Sequence, residues 1–271
     1  MTVRRGYVDG RFGQVHYWLA GDSTSQVPMY CLHATAYSGQ TFLPLMQNLE
    51  GARRVVALDT PGYGSSDGPA SELDFESYAH AIAEAVHRVE ATQHGAPGTV
   101  DIFGYHTGAL LAAEVAVLYP ELVGRLVLMG IPYFTGEVKT AWREKLVHVT
   151  RLTESFEQFR ARWDYFITHR TPGLTLDRAF ACFVDELRAY PKDWWVHKAL
   201  FDYKAEERLP LVKAPVLVIN TATALADASR SAALQMPGAN VVEVAGLGGA
   251  PFDLGPDLLS KLVEEFLNRK N

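Results

Sequence analysis

A chain of 271 residues, 48% hydrophobic and 21% charged, has the make-up of an ordinary globular protein, with room for one large domain or a core plus a modest insertion. Its formal charge, 25 − 31 = −6, excludes a basic nucleic-acid footprint, and no run approaches the roughly 18 apolar residues of a membrane span. The start, Met1 to Gly6, lacks the apolar stretch of a secretion signal, and two cysteines, Cys31 and Cys182, make no disulfide framework, so both read as buried thiols in a reducing, cytoplasmic setting.

Short strand-like runs alternate with helical patterns, which points to an α/β protein with a mainly parallel sheet. Strands are expected at about residues 4 to 9 and 13 to 20, an antiparallel start that turns near Gly10 to Gly13. A helix at 39 to 49 separates strands at 28 to 33 and 53 to 58. A long helix at 72 to 92 leads into a strand at 99 to 103, a helix at 107 to 119 and a strand at 125 to 129. Strands at 215 to 220 and 240 to 244 enclose a helix at 227 to 236, and a last helix runs from 256 to 269.

Residues 133 to 205 break this rhythm. They show no strand signal, only helical stretches rich in aromatics, and hold four of the five tryptophans: Trp142, Trp163, Trp194 and Trp195. A helical insertion between two strands reads as a lid, 133–205, over a core made of 1–132 and 206–271; the carboxyl ends of the strands, where α/β sites lie, would sit beneath it. Trp142, Trp163 and Trp194 are the aromatics expected to wall a pocket, unless these rings pack the insertion on itself, as aromatics at helical spacing commonly do.

The most informative stretch is Phe103-Gly104-Tyr105-His106-Thr107-Gly108. It has the form of a G-x-S-x-G nucleophile elbow, between a strand and a helix, with histidine where serine belongs. Three further segments follow the same plan: Leu32-His33-Ala34-Thr35, Leu58-Asp59-Thr60-Pro61-Gly62-Tyr63-Gly64-Ser65-Ser66, and Gly246-Leu247-Gly248-Gly249. With these four motifs in order, the chain resembles the α/β-hydrolase superfamily over nearly its full length. The resemblance implies a mostly parallel eight-stranded sheet flanked by helices, with a helical lid insertion.

It also implies a triad that this sequence does not contain. The serine position holds His106, and the histidine position after the last strand holds Gly249. The last histidine of the chain is His197, and the loop after Ile219 offers one acid, Asp227, whose plain role is a helix N-cap. Ordinary serine-hydrolase chemistry is therefore not expected. The resemblance does leave an oxyanion hole, built from the backbone N–H groups of Thr35 and Thr107, at the start of a helix that adds positive potential.

Three roles for His106 stand side by side. With an ordinary pKa of about 6.5 it can act as a general acid or base near neutral pH. It can serve as a direct nucleophile, forming a transient acyl-imidazole, or it can merely fill the pocket. The leading reading is an enzyme acting on a small, partly apolar carbonyl compound through a lyase-, isomerase- or decarboxylase-like step. The others are an atypical hydrolase and a non-catalytic small-molecule binder.

Around His106, the segment places His33, Ala34, Tyr105 and Asp253 at the pocket. His33 has a structural alternative, bonding the loop backbone; Tyr105 has a packing one, beneath the sheet; Asp253 has a surface one. Asp59 is expected to steady its own loop. His148, His169 and His197 read as exposed or satisfied histidines, without metal-ligand spacing. No metal site, phosphate loop or dinucleotide fingerprint is found, so no cofactor is expected. The expected partner is a small-molecule substrate, with no nucleic acid and no membrane; a homodimer stays open.

Overall fold

The computed structural model describes residues 3–22, 26–94, 98–149 and 151–269, so the first two residues of the N-terminal stretch lie outside it. The chain opens with β1 (Arg4–Gly10), β2 (Gly13–Ala20), β3 (Met29–Leu32), α1 (Leu43–Leu49), β4 (Val55–Leu58) and α2 (Phe75–His94). It continues through β5 (Val100–Tyr105), α3 (Thr107–Leu118) and β6 (Val123–Met129). Five helices then follow without a strand: α4 (Gly136–Leu146), α5 (Glu157–Trp163), α6 (Leu176–Ala189), α7 (Trp195–Asp202) and α8 (Ala205–Arg208). The chain closes with β7 (Val216–Thr221), α9 (Ala226–Gln235), β8 (Asn240–Val244), α10 (Pro251–Leu254) and α11 (Pro256–Leu267).

The eight strands form one sheet in the order β1-β2-β4-β3-β5-β6-β7-β8. Only the β1–β2 and β2–β4 pairs are antiparallel. The central strands are short apolar runs: every residue of β3, β4, β5 and β7 is buried, as strands covered on both faces must be. On one face lie α2 and α3. α2 lays Phe75, Tyr78, Ala79, Ile82, Val86 and Val89 along its sheet side, the spacing of an amphipathic stripe. On the other face α1 and α11 enclose Phe42, Phe103 and Phe252.

Chain order steps outward from β3 to β4, then returns across it to β5 and onward to β8. The reversal falls between β3 and β5, so the loops leaving those two strands flank the crevice where α/β sheets bind ligands. Both of these loops carry motif residues. Among the described residues, no helix is long and apolar enough to cross a membrane.

Element starts differ from expectation by up to four residues, and at β4 and α2 a local hydrogen bond accounts for the shift. β4 begins at Val55 rather than Arg53 because the Arg53 N–H donates to Leu49 O at 3.0 Å, closing the turn after α1; its fully buried guanidinium bonds Glu264, Val27 O and Asn268. α2 begins at Phe75 because Asp74 accepts the Ser77 N–H at 2.7 Å, an N-cap bond. Asp227 is not an N-cap: it sits in the first turn of α9, pairs with Arg230 at 2.6 Å and is almost wholly exposed.

α3 is apolar on all sides except for one charge. Glu114, 0% exposed, accepts from Tyr203 Oη at 2.5 Å and from Arg208 Nε and Nη2 at 3.0 and 2.5 Å. This tie fastens the helix behind His106 to the chain returning from the helical segment. Arg208→Ala is expected to cost about 3 kcal/mol, because it leaves a buried carboxylate without its cation. The measurement is the urea midpoint, and Glu114→Gln added to Arg208→Ala should restore part of the loss.

Candidate active site

β5 ends in a turn that only glycine permits on either side of His106. A Cβ on Gly104 would lie 2.4 Å from Gly108 O, and one on Gly108 would lie 2.1 Å from Leu32 O. The two glycines thus let α3 start hard against the ends of β5 and β3. His106 itself has φ 51°, and among the described residues no other non-glycine has positive φ. Its backbone is held on both sides: its N–H donates to Met129 O at 2.9 Å, and its carbonyl accepts from Ala109 N–H at 2.8 Å. Left-handed backbone under a side chain costs roughly 1–2 kcal/mol, so this turn is maintained by its surroundings.

The imidazole is fitted into place. It lies against Gly130, just past β6, where a Cβ would meet its Cδ2 at 2.4 Å and its Nε2 at 2.8 Å. The Tyr105 ring stands 4.1 Å away, centroid to centroid. No side chain among the described residues hydrogen-bonds the His106 ring. Burial, and then the neighbouring His197, push His106 down to about 4, so it is neutral at physiological pH.

It opens onto a cavity of about 720 Å³ between the strand ends and the helical segment. Thr35, from the loop after β3, and Thr107, the first residue of α3, line it together, their hydroxyls 3.0 Å apart. The first N–H groups of a helix have no intrahelical acceptor, and the helix end favours negative charge. Most of the remaining wall is apolar: Pro132, Phe134, Trp142, Leu146, Leu200 and Phe201. Trp142 stacks on Phe134 at 5.1 Å and 10°. A polar edge comes from Lys145, and from Arg162, held to Glu186 at 2.9 Å and to Asp193 at 2.5 Å. Burial lifts the Glu186 carboxyl above the ordinary range, with Arg162 opposing it.

Of the residues expected at the site, His106, Ala34, Thr35, Tyr105, Thr107 and Trp142 come together around this cavity. Four do not. His33 lies behind the wall, 2% exposed. Thr60 N–H donates to its Nε2 at 2.9 Å, so the ring proton sits on Nδ1 and donates to Ala34 O at 2.8 Å. Both nitrogens serve the loop backbone, and burial holds this ring below its ordinary pKa. Trp163 is one position beyond the cavity-facing Ala161 and Arg162, which turns it about 100° around α5; it packs edge-on against Phe183. Trp194 precedes the first turn of α7 and meets Trp195 instead. Asp253 is ion-paired to Arg178 at 2.6 Å and faces a smaller neighbouring cavity.

Asp59 does steady its loop. It accepts Gly39 N–H at 2.7 Å, Ser65 N–H at 2.8 Å and His16 Nδ1 at 2.8 Å. Cys31 is buried as expected, but Cys182 is only half-buried and lines the smaller cavity. Among the described residues no three of His, Cys, Asp and Glu converge as a metal site would need.

Sequence reasoning missed His197. It reaches the cavity from α7 with Leu200 and Phe201, and burial depresses it to about 4 as well, against the pull of Asp193. The signal was present: His197, Leu200 and Phe201 are spaced i, i+3, i+4, one helix face. A histidine among apolar residues on such a face shares their burial.

A family model described as alpha/beta hydrolase fold matches residues 27–163, half of the chain. The chain belongs to the α/β-hydrolase-fold family. Among curated relatives, the α/β-hydrolase-fold chain is 24% identical over 118 residues to an (E)-2-((N-methylformamido)methylene)succinate hydrolase of Acinetobacter baylyi, covering 44% of this chain and 41% of that one. It is 26% identical over 150 residues to a 2-(acetamidomethylene)succinate hydrolase of Mesorhizobium japonicum, covering 55% and 50%. The chain thus spans half or less of the length of these relatives. A crystal structure of a hydrolase from Pseudomonas aeruginosa PA01 superposes with a TM-score of 0.79, 18% identity and 98% of both chains covered, a likeness of fold.

Proposed function

We propose that the chain is an enzyme acting on a small, partly apolar carbonyl compound, with His106 as its acid/base in the place where the family's elbow carries serine. One observation carries this reading. A bulky imidazole is kept in left-handed backbone, with Gly130 leaving room for it, and it faces a large apolar cavity. Strain of that kind persists where the surroundings enforce it and gathers at functional sites.

The chemistry follows from the groups at hand. Neutral His106 takes a proton from the carbon next to a carbonyl. The oxygen that gains charge is met by the N–H groups of Thr35 and Thr107, each such donor being worth about 3 kcal/mol in a transition state. The imidazolium then returns the proton to another carbon of the enolate, an isomerase-like step, or to a leaving group on the β carbon as its bond to that carbon breaks and a C=C bond forms, a lyase-like elimination. His197, also neutral and across the cavity, is the second proton carrier. The helical segment 133–205 acts as the lid that keeps water out.

Among the described residues, no serine lines the cavity beside a histidine and an acid as a relay would need. Among the described residues, the loop after β7 offers Ala222 to Leu225 to the cavity and the loop after β8 offers Gly248 and Gly249. Buried Ser38 donates to Asp185 at 2.6 Å, and neither nitrogen of His33 is left to drive it. A fluorophosphonate serine probe is therefore expected to leave the protein unlabelled; stoichiometric labelling at a serine would overturn the loss of the relay.

The decisive test is solvent-deuterium exchange into α-C–H positions of a panel of ketones and β-dicarbonyls, followed by NMR. Exchange catalysed by the native protein and reduced at least about a hundredfold in His106→Gln is the expected result. Its acid limb should fall near pH 4, where His106 titrates, rather than near the ordinary 6.5. Exchange that survives His106→Gln ends the proposal. A water-dependent variant has one point in its favour, the hydrolase names of the relatives. In it His106 deprotonates water for attack on an activated carbonyl, and 18O from solvent enters the product.

A further inference from the structure

A second cavity, of about 100 Å³, adjoins the first. The two share Tyr37, Tyr105, Tyr165, Phe166 and Gly249, and of these Tyr105 also packs against the His106 ring. Its outer wall comes from the helical segment. A Cβ on Gly249 would stand 3.1 Å from Thr171 Oγ1, so Thr171 fills the side on which a side chain at 249 would project.

The polar groups around this chamber are almost all donors. Tyr37 and Tyr105 hydroxyls have no hydrogen-bond partner among the described residues, and burial keeps both phenols protonated. The Cys182 thiol, pushed up to about 11 by burial, also stays neutral. Thr41 lines the chamber with a buried hydroxyl that has no partner among the described residues. Arg170 donates to Ile167 O at 3.0 Å and to Leu174 O at 3.1 Å, and among the described residues no carboxylate pairs with it. The acid of the chamber, Asp253, is neutralised by Arg178, and His169 uses Nδ1 on Asp164 O at 3.0 Å. The sum is one cation without a carboxylate partner among the described residues, beside hydroxyl donors, in a space far smaller than the main cavity.

We propose that this chamber seats a carboxylate carried by the substrate, gripped by Arg170 and the Tyr37 and Tyr105 hydroxyls, which makes the substrate class a small oxo acid. The inference rests on the reading of His106 as the group that meets the carbonyl. Tyr105 fixes the spacing: its ring lies against the imidazole on one side and borders the chamber on the other. The carboxylate and the reacting carbonyl are then separated by a short carbon chain.

The test compares binding of levulinate with that of hexane-2,5-dione, a near-isostere whose second polar group is an uncharged acetyl, by ligand-observed NMR titration at pH 7. Native protein is expected to favour levulinate about tenfold or more, a hydrogen-bonded charge pair being worth at least that ratio. Arg170→Gln should bring the ratio close to one, and Tyr37→Phe should lower it several-fold. Arg170 is exposed, so its variant should fold, which circular dichroism checks. His106→Gln should keep the preference. Equal affinities in the native protein, no binding of levulinate, or a preference that survives Arg170→Gln each overturns the proposal. A preference that is intact while His106→Gln leaves proton exchange untouched would sink the catalytic reading and spare the chamber.

Discussion

Gly130→Ala is expected to lower kcat/KM about a hundredfold or more, as a general acid/base does when displaced, although residue 130 offers no chemistry. An added Cβ would fall 2.4 Å from His106 Cδ2 and 2.8 Å from Nε2, distances no contact tolerates. Met129 O fixes the turn from behind, so the ring must leave its seat. Alanine at φ +64° adds roughly 1–2 kcal/mol of backbone strain, and a control separates that from the collision. Gly136 also has positive φ, +53°, but nothing lies within 4 Å of a Cβ there. Gly136→Ala should therefore lose similar stability and keep its activity. Native kcat/KM in Gly130→Ala would show that the imidazole is not the working group.

Acidification from pH 7.5 to 4.5 is expected to strip roughly 5 kcal/mol of stability through His106 and His197 alone. The sign follows from their depressed values, both about 4 in the folded protein against about 6.5 in an unfolded chain. Above pH 6.5 neither state binds these protons and the rings are silent. Between 6.5 and 4 the unfolded chain takes up two protons that the fold refuses, so stability falls through that window and levels off below it. The double variant His106→Gln with His197→Gln should lose that much less on the same acidification, read from urea unfolding at the two pH values. His33, also held down by burial, is present in both proteins and cancels. Equal acid sensitivity of the two proteins would mean that the rings titrate normally and are open to water.

The geometry also explains which residues could be read in advance. His106, Thr107, Gly104 and Gly108 are neighbours in sequence, and the strand–turn–helix around them is a local structure with strict steric demands. Trp163 and Trp194 were misplaced because an aromatic at helical spacing says that a face is buried, not against what. His33 and Asp253 were misplaced because a polar side chain beside a site is easily claimed by a nearer partner: Thr60 N–H for one, Arg178 for the other. His197, 91 residues beyond His106 by numbering, showed itself only through the apolar residues it travels with.

The order of strands and helices, the mainly parallel sheet and the imidazole at the bend after β5 could all be read from the residues alone. Those follow from periodicities and glycine positions within a few residues of one another. Packing alone set the environment of that imidazole: Gly130 beneath it, His197 near it, no carboxylate bonded to it among the described residues, and a second chamber behind Tyr105. These are meetings of segments far apart along the chain, set by packing in three dimensions. The burial that follows moves a histidine from pH 6.5 to about 4.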